Sequence, residues 1–396
     1  MINGYDIICI STSDWKCPWG SRQQIMTRLS NENKVLFVEY QASFLHLLRH
    51  PKLLYRLFGP GVQKINENII VYRPFLNLPF RYYCKTINLL NQRLLLFQLK
   101  LLIKRLKFSK ILLWIFEPTS YALLGKLKES VSVYHCIDFF KNEKRSPLRK
   151  RCIENMEGRL CRRSDIVLVS SNELLIDKIN INKKTYLIPS AVDESFFNIN
   201  KLFLSTPLIE NLKKIKSAKI GFVGTFDNRI DDALIDFIAE KHQDWAVILI
   251  GFTGKSKVVK FLKRKNIHLI EWIDNNLLPA YINLFHVCII PYKVNEFTKG
   301  IFPIKVFEYL SLGKPVVATR LPALEALQKQ KFVKIAEGKE EFLKQIEGYL
   351  SNDSLNDRNL RVEFAKSNTW HNRIESISEV INDYARSSKY QEDSSL

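Results

Sequence analysis

The chain has 396 residues, 46% hydrophobic and 25% charged, with 14 Gly and 14 Pro. That is the composition of an ordinary globular protein of about two domains, and it excludes a collagenous, low-complexity or globally disordered chain. Lys and Arg outnumber Asp and Glu by 60 to 40, a formal charge of +20, which favours an anionic partner: nucleic acid, a phosphorylated ligand or an anionic membrane face.

Short Val/Ile-rich runs alternate with amphipathic helical patterns along the whole chain, so the sequence predicts α/β twice over, with parallel sheets wrapped by helices. In the first half the predicted strands are 5–11, 34–40, 69–74, 110–116, 132–138, 165–171 and 185–189. Behind the first of them come Asp14 and Trp15, then Trp19, Gly20, Ser21 and Arg22 opening a helix. A Gly-Ser turn there offers amide donors at the carboxyl edge of a parallel sheet, where open α/β folds bind ligands. Trp15 and Trp19 suit either a stacking platform for a sugar or a cap on the sheet.

Segment 41–110 holds 13 Lys and Arg against Glu67 alone, interleaved with Leu, Phe and Tyr at helical spacing. Two readings stay open: an apolar face laid in a lipid interface with its cations on anionic headgroups, or the same face packed on the domain's own core. A nucleic-acid groove ranks behind both because no recognised motif accompanies the charge, so no nucleic-acid partner is expected. Strand 132–138 brings His135 and Asp138 to one sheet edge, with Asp138 either a proton acceptor or a helix N-cap.

Segment 193–217 is polar and lacks a strand pattern, so it is expected to be a linker, with domains at 1–200 and 201–369. Strands follow at 219–225, 245–251, 267–272, 287–292, 314–319 and 332–336. Gly224 and Thr225 end the first of these and Arg229 follows; Lys255 comes after Gly251 and Gly254. Each cation suits a pyrophosphate or an exposed loop position, and the loop reading is the stronger one for Lys255. In 291–319, Pro303 is expected to start a helix, Lys305 and Glu308 to project from its first turns, and Gly313 to close it. A helix amino end with a lysine nearby suits phosphate, and a carboxylate one turn on suits ribose hydroxyls, which together describe a nucleotide diphosphate. The bland alternative is a surface ion pair. Helix is predicted from 355 onward, with 370–386 returning to the first domain and 387–396 disordered.

Pro303, Lys305, Glu308, Tyr309, Gly313, Pro315, Val316, Val317 and Thr319 resemble the donor-binding signature of GT-B glycosyltransferases. The likeness is to the retaining family 4 and to its bacterial cell-surface polysaccharide branch, which includes teichuronic acid transferases. The start of the chain, Ser11 to Trp15 and then Arg22, Gln23 and Gln24, is similar to that branch. The resemblance implies two Rossmann-like domains facing each other across a cleft, the second binding a nucleotide sugar and the first an acceptor. It also implies that Glu308 holds the donor ribose, that Lys305 and Arg229 lie near the phosphates, and that the base meets backbone near Ile273. The family's first glutamate falls on Gly300 here, leaving Glu296 or Thr298 to meet the sugar. On the acceptor side it implies Asp14, Trp15, Gly20, Ser21 and Arg22, with Asp138 first and His135 second at the reacting hydroxyl.

The expected activity is transfer with retention to a lipid-linked or growing glycan, with no metal or other cofactor, fixed cations serving the diphosphate. The alternatives are a sugar-nucleotide epimerase of the same fold and a non-catalytic lipid- or nucleic-acid-binding protein. The N-terminus lacks a signal-peptide pattern, no apolar run reaches spanning length, and the cysteines, 7 in all, show no C-x-x-C pair. A cytoplasmic location, peripheral at the inner membrane face, and the absence of a zinc site are therefore expected.

Overall fold

The computed structural model describes the chain except for residues 18, 46–53, 55–58, 140–145, 199, 201–202, 253–260, 262 and 394–396. Lys255, and Arg49, Lys52 and Arg56 of the basic segment, lie outside the described residues. Contacts divide the chain into unit 1, Met1–Pro189 with Arg373–Leu396, and unit 2, Ser190–Asn372.

Unit 1 is built on β1 (Asp6–Ile10), β2 (Lys34–Val38), β3 (Gly61–Lys64), β4 (Ile69–Arg73), β5 (Ile111–Ile115), β6 (Val131–Cys136), β7 (Ile166–Val169) and β8 (Thr185–Leu187). They form one sheet in the order β3-β4-β2-β1-β5-β6-β7-β8. Every pairing is parallel except that of β3 with β4. The central strands are apolar on both faces and fully buried, as Ile7, Ile8 and Ile10 illustrate. Each such side chain stabilises the fold by about 1.5–3 kcal/mol relative to leaving it in water. The edge strand β3 has no counterpart in the sequence reading. Its residues, Gly-Val-Gln-Lys, are mostly exposed and carry no apolar alternation, as suits an edge protected from further pairing.

Unit 2 contains β9 (Lys219–Val223), β10 (Ala246–Phe252), β11 (Ile267–Glu271), β12 (Val287–Ile290), β13 (Val316–Thr319) and β14 (Lys334–Ala336). Its sheet is wholly parallel, in the order β11-β10-β9-β12-β13-β14. Gly221 in β9 is forced by packing, since a Cβ there would stand 1.9 Å from the Phe285 ring.

Three expectations are corrected here. The junction falls at Pro189 and Ser190. The segment after it is not a bare linker, because it holds a 3₁₀ turn (Glu194–Phe197) and the helix Pro207–Lys214, whose Ile209 and Leu212 are buried. At the other end the last helix runs Trp370–Asp393, so 387–393 is helical. That helix buries Ile374, Ile377 and Ile381. Within unit 1, Arg373 donates to the Pro189 carbonyl at 3.1 Å and Tyr384 to Asp165 at 2.6 Å. No described helix is long and apolar enough to cross a membrane.

Candidate functional site

The strand order of the unit 2 sheet reverses between β9 and β12, so the loops 224–231 and 291–304 leave neighbouring parallel strands at the carboxyl edge, where parallel α/β sheets bind ligands. Backbone bonds zip the two loops together. Asp231 N–H reaches Pro291 O and Lys293 N–H reaches Arg229 O, both at 2.7 Å. Gly251, at the end of β10, has φ +104° and a missing Cβ that would meet Gly224 O at 2.8 Å. Glycine there lets β10 close on the Gly224 turn, leaving Gly224 half-buried and Thr225 exposed. Arg229 is fixed by Asp227, its Nε at 2.9 Å and Nη2 at 2.6 Å from the carboxylate, and its guanidinium lies 5.8 Å from the Tyr292 ring centre. Ile273 follows β11 at the same edge and packs partly on the core.

Lys305 and Glu308 are held between these loops and β13 by the helix Lys305–Ser311. Their charges meet at 2.7 Å, with the Glu308 side chain only 12% and the Lys305 side chain 24% exposed, so this is not a free surface pair. The neighbouring motif residues have structural duties. Fully buried Tyr309 accepts the Val223 N–H on its hydroxyl at 2.8 Å, tying the helix to β9. Burial pushes that phenol well above its ordinary pKa. Thr319 donates to Tyr292 O at 2.7 Å, tying β13 to the second loop. Gly313 closes the helix at φ +67°.

Several expectations change at this point. Pro303 precedes the helix, whose N-cap is Ile304, and the N–H groups of Val306 and Phe307 already bond to Pro303 O and Ile304 O. Ligand chemistry here therefore belongs to side chains more than to a free amino end. Thr298 is fully buried; its hydroxyl donates to Lys293 O at 2.6 Å and accepts from Asn295 N–H at 3.0 Å, so it clamps the loop. Glu296 is 73% exposed and pairs with Lys299.

In unit 1 the reversal falls between β1 and β5. The helix Ser21–Leu29 starts from Gly20, as the sequence predicts, and Gln23 folds back to organise the preceding loop. Its side-chain oxygen takes the Gly20 N–H at 3.3 Å, and its amide donates to Asp14 O and Trp15 O. Trp15 is buried edge-on against Phe37 at 4.9 Å, which makes it a sheet cap; Trp19 is exposed. Arg22 turns inward over Phe116, and its buried Nε meets no hydrogen-bond acceptor. Burial lowers its pKa, while the charges of Asp138 and Glu117 oppose that shift.

His135 stacks on Phe116 at 5.0 Å and is fully buried, with no hydrogen-bond partner at Nδ1. Burial, and then the Arg22 charge, push its pKa down to about 3, so the imidazole is neutral near pH 7 and a poor base. Asp138, just beyond β6, is half-buried. The next described helix, Pro147–Arg163, is capped by Ser146 and not by Asp138.

Sequence reasoning missed Glu117. This carboxylate follows β5, is buried, accepts from Thr119 Oγ1 at 3.0 Å and faces Arg81 at 3.5 Å. An acidic residue directly after an apolar central strand is the signal that could have found it.

Residues 217–352 match the family model described as Glycosyl transferases group 1. The match covers the strands and both loops of the unit 2 site. The chain is 26% identical over 255 residues to the putative teichuronic acid biosynthesis glycosyltransferase TuaH of Bacillus subtilis, a match of 60% of this chain and 64% of that protein, just under two thirds of its length.

Among solved structures, sucrose-phosphate synthase from Thermosynechococcus elongatus aligns with a TM-score of 0.70 at 15% identity, over 96% of this chain and 99% of that one. Anabaena HepE in complex with UDP and glucose aligns at 0.67 and 15%, over 96% and 100%. An E. coli trehalose-6-phosphate structure bound with UDP-2-fluoro glucose aligns at 0.69 and 12%, over 96% and 99%. The fold that these likenesses show is GT-B.

Proposed function

We propose that the protein is a glycosyltransferase that moves a sugar from a nucleotide diphosphate sugar to a lipid-linked or growing cell-surface glycan, at the cytoplasmic face of an anionic membrane. Unit 2 takes the donor and unit 1 the acceptor. The observation that carries this reading is the mostly buried Lys305–Glu308 pair beside the strand-order reversal, inside the segment matched to group 1 glycosyl transferases. Complexes of HepE with UDP and glucose, and of the E. coli protein with UDP-2-fluoro glucose, support a nucleotide-sugar donor.

On this reading Glu308 accepts hydrogen bonds from the ribose, while Lys305 and Arg229 meet the diphosphate. As the bond from anomeric carbon to phosphate oxygen breaks and the bond to the acceptor oxygen forms, negative charge grows on the departing phosphate. Fixed cations in a largely dry site stabilise that charge, without a metal ion. Asp138 accepts a hydrogen bond from the acceptor hydroxyl and, together with the departing phosphate, takes up its proton. Likeness to the retaining family supports departure and attack on one face of the sugar.

A thermal-shift panel of UDP, GDP, TDP and CDP tests the donor half of this reading. Stabilisation by one of them is expected; no shift with any would support a non-catalytic protein.

A further inference from the structure

We infer that unit 1 docks on anionic membrane through the outward face of the helix Lys85–Leu106, which inserts Leu90, Leu94, Phe97 and Leu101 into the lipid interface. This names the surface behind the membrane clause above; it rests on unit 1 alone and stands or falls independently of nucleotide binding.

The helix is built inside out. Its buried side carries Asn88, Asn91, Gln92 and Gln98 beside Leu95 and Leu99. Leu90, Leu94, Phe97 and Leu101, spaced by four, three and four residues, are 40–61% exposed. At 3.6 residues per turn this quartet forms a stripe roughly 60° wide and about 16 Å long. Arg93, Lys100 and Lys104 are exposed and fall along one border of that stripe.

The buried amides explain the inversion. Asn91 clamps the Leu78 backbone, accepting its N–H at 2.8 Å and donating to its carbonyl at 3.0 Å. Gln98 accepts from Phe75 N–H at 3.1 Å and from the Tyr72 hydroxyl at 2.6 Å. The loop 74–84 is thereby strapped along the other border of the stripe, with Phe75, Leu78 and Phe80 exposed. Phe80 is held at φ +66°, a left-handed conformation costly for an aromatic residue, with its carbonyl taken by the Tyr83 and Cys84 N–H groups.

An ordered apolar ridge exposed to water, with cations on its flank, suits a surface apolar beneath and anionic above, which is a lipid interface. The scarcity of acidic residues in 41–110, where Glu67 is alone, fits the same occupant.

The test is flotation of the full chain with phosphatidylcholine vesicles and with vesicles of equal parts phosphatidylcholine and phosphatidylglycerol. The wild type should float with the second set about tenfold or more better than with the first, and high salt should weaken that binding. Phe97→Glu with Leu101→Glu should lose about tenfold or more of the binding, and Arg93→Glu with Lys100→Glu should lose the preference for phosphatidylglycerol. Circular dichroism matching the wild type would show both variants folded; these side chains already face water. Three results would each overturn the inference: no flotation of wild type with the anionic vesicles, wild-type flotation by the Phe97/Leu101 variant, or a wild-type dimer by light scattering that this variant converts to monomer. The last would make the face a protein interface. Flotation without any nucleotide thermal shift would leave the membrane surface standing and remove only the donor assignment.

Discussion

At its strand-order reversal unit 2 neutralises its charges within one helical turn, Lys305 against Glu308, and holds Arg229 on Asp227 two residues away. Unit 1 instead sets the buried Arg22 against the charges of Glu117 and Asp138, from three separate segments, and the Arg22 charge in turn helps keep the buried His135 neutral. A local pair is set by one helix and survives small shifts of the sheet. A nonlocal cluster depends on several strands being in register, and its members couple, so their substitutions should not add.

That contrast can be tested from the acceptor side first. Asp138→Asn should lower turnover by about a hundredfold or more while nucleotide affinity stays unchanged. Full activity would make Asp138 structural and leave unit 1 without its chemical group.

The next effect is on acid stability. Because His135 titrates near 3 when folded and at its ordinary value of 6.5 when unfolded, the unfolded chain binds the extra proton between those values. Its contribution is thus complete above pH 6.5 and is lost as pH falls toward 3, by at most about 1.4 kcal/mol per pH unit. Urea midpoints measured from pH 7 to 5 should fall less steeply in His135→Phe than in wild type. Equal slopes would remove the buried neutral imidazole from the account.

Smaller again, Thr298→Val should cost about 1–2 kcal/mol in urea unfolding, because Lys293 O loses its donor inside a buried loop. It should also weaken nucleotide binding by loosening the loop that carries Pro303. If affinity fell with stability untouched, the Thr298 hydroxyl would be a donor ligand and not a loop clamp. Smallest is Glu296→Ala, whose exposed partner is Lys299. No measurable change in stability or donor affinity is expected, and a large loss of turnover would assign the sugar contact to Glu296.

The same difference between local and nonlocal construction decides what the sequence reveals. Thirteen parallel strands are legible because β-branched runs apolar on both faces have few other uses, whereas β3 is short, polar and exposed. Lys305 and Glu308 are legible because their spacing is helical and their surroundings carry a known order of residues. The hydroxyl of Thr298 and the fold-back of Gln23 are not, since each is defined by a backbone group whose position only the folded loop creates. The inverted helix is the clearest case. Leucines occur on both its sides, and the inward face is chosen by partners that Asn91 and Gln98 find in a loop 13 and 23 residues away.

Calorimetric titration of the nucleotide selected by the thermal-shift panel into wild type and Glu308→Ala tests the central claim most directly. The account predicts a loss of about tenfold to a hundredfold in affinity with the fold intact, the size of one or two hydrogen bonds to a charged group. Unchanged affinity would contradict it, and with it the assignment of unit 2 as the donor site.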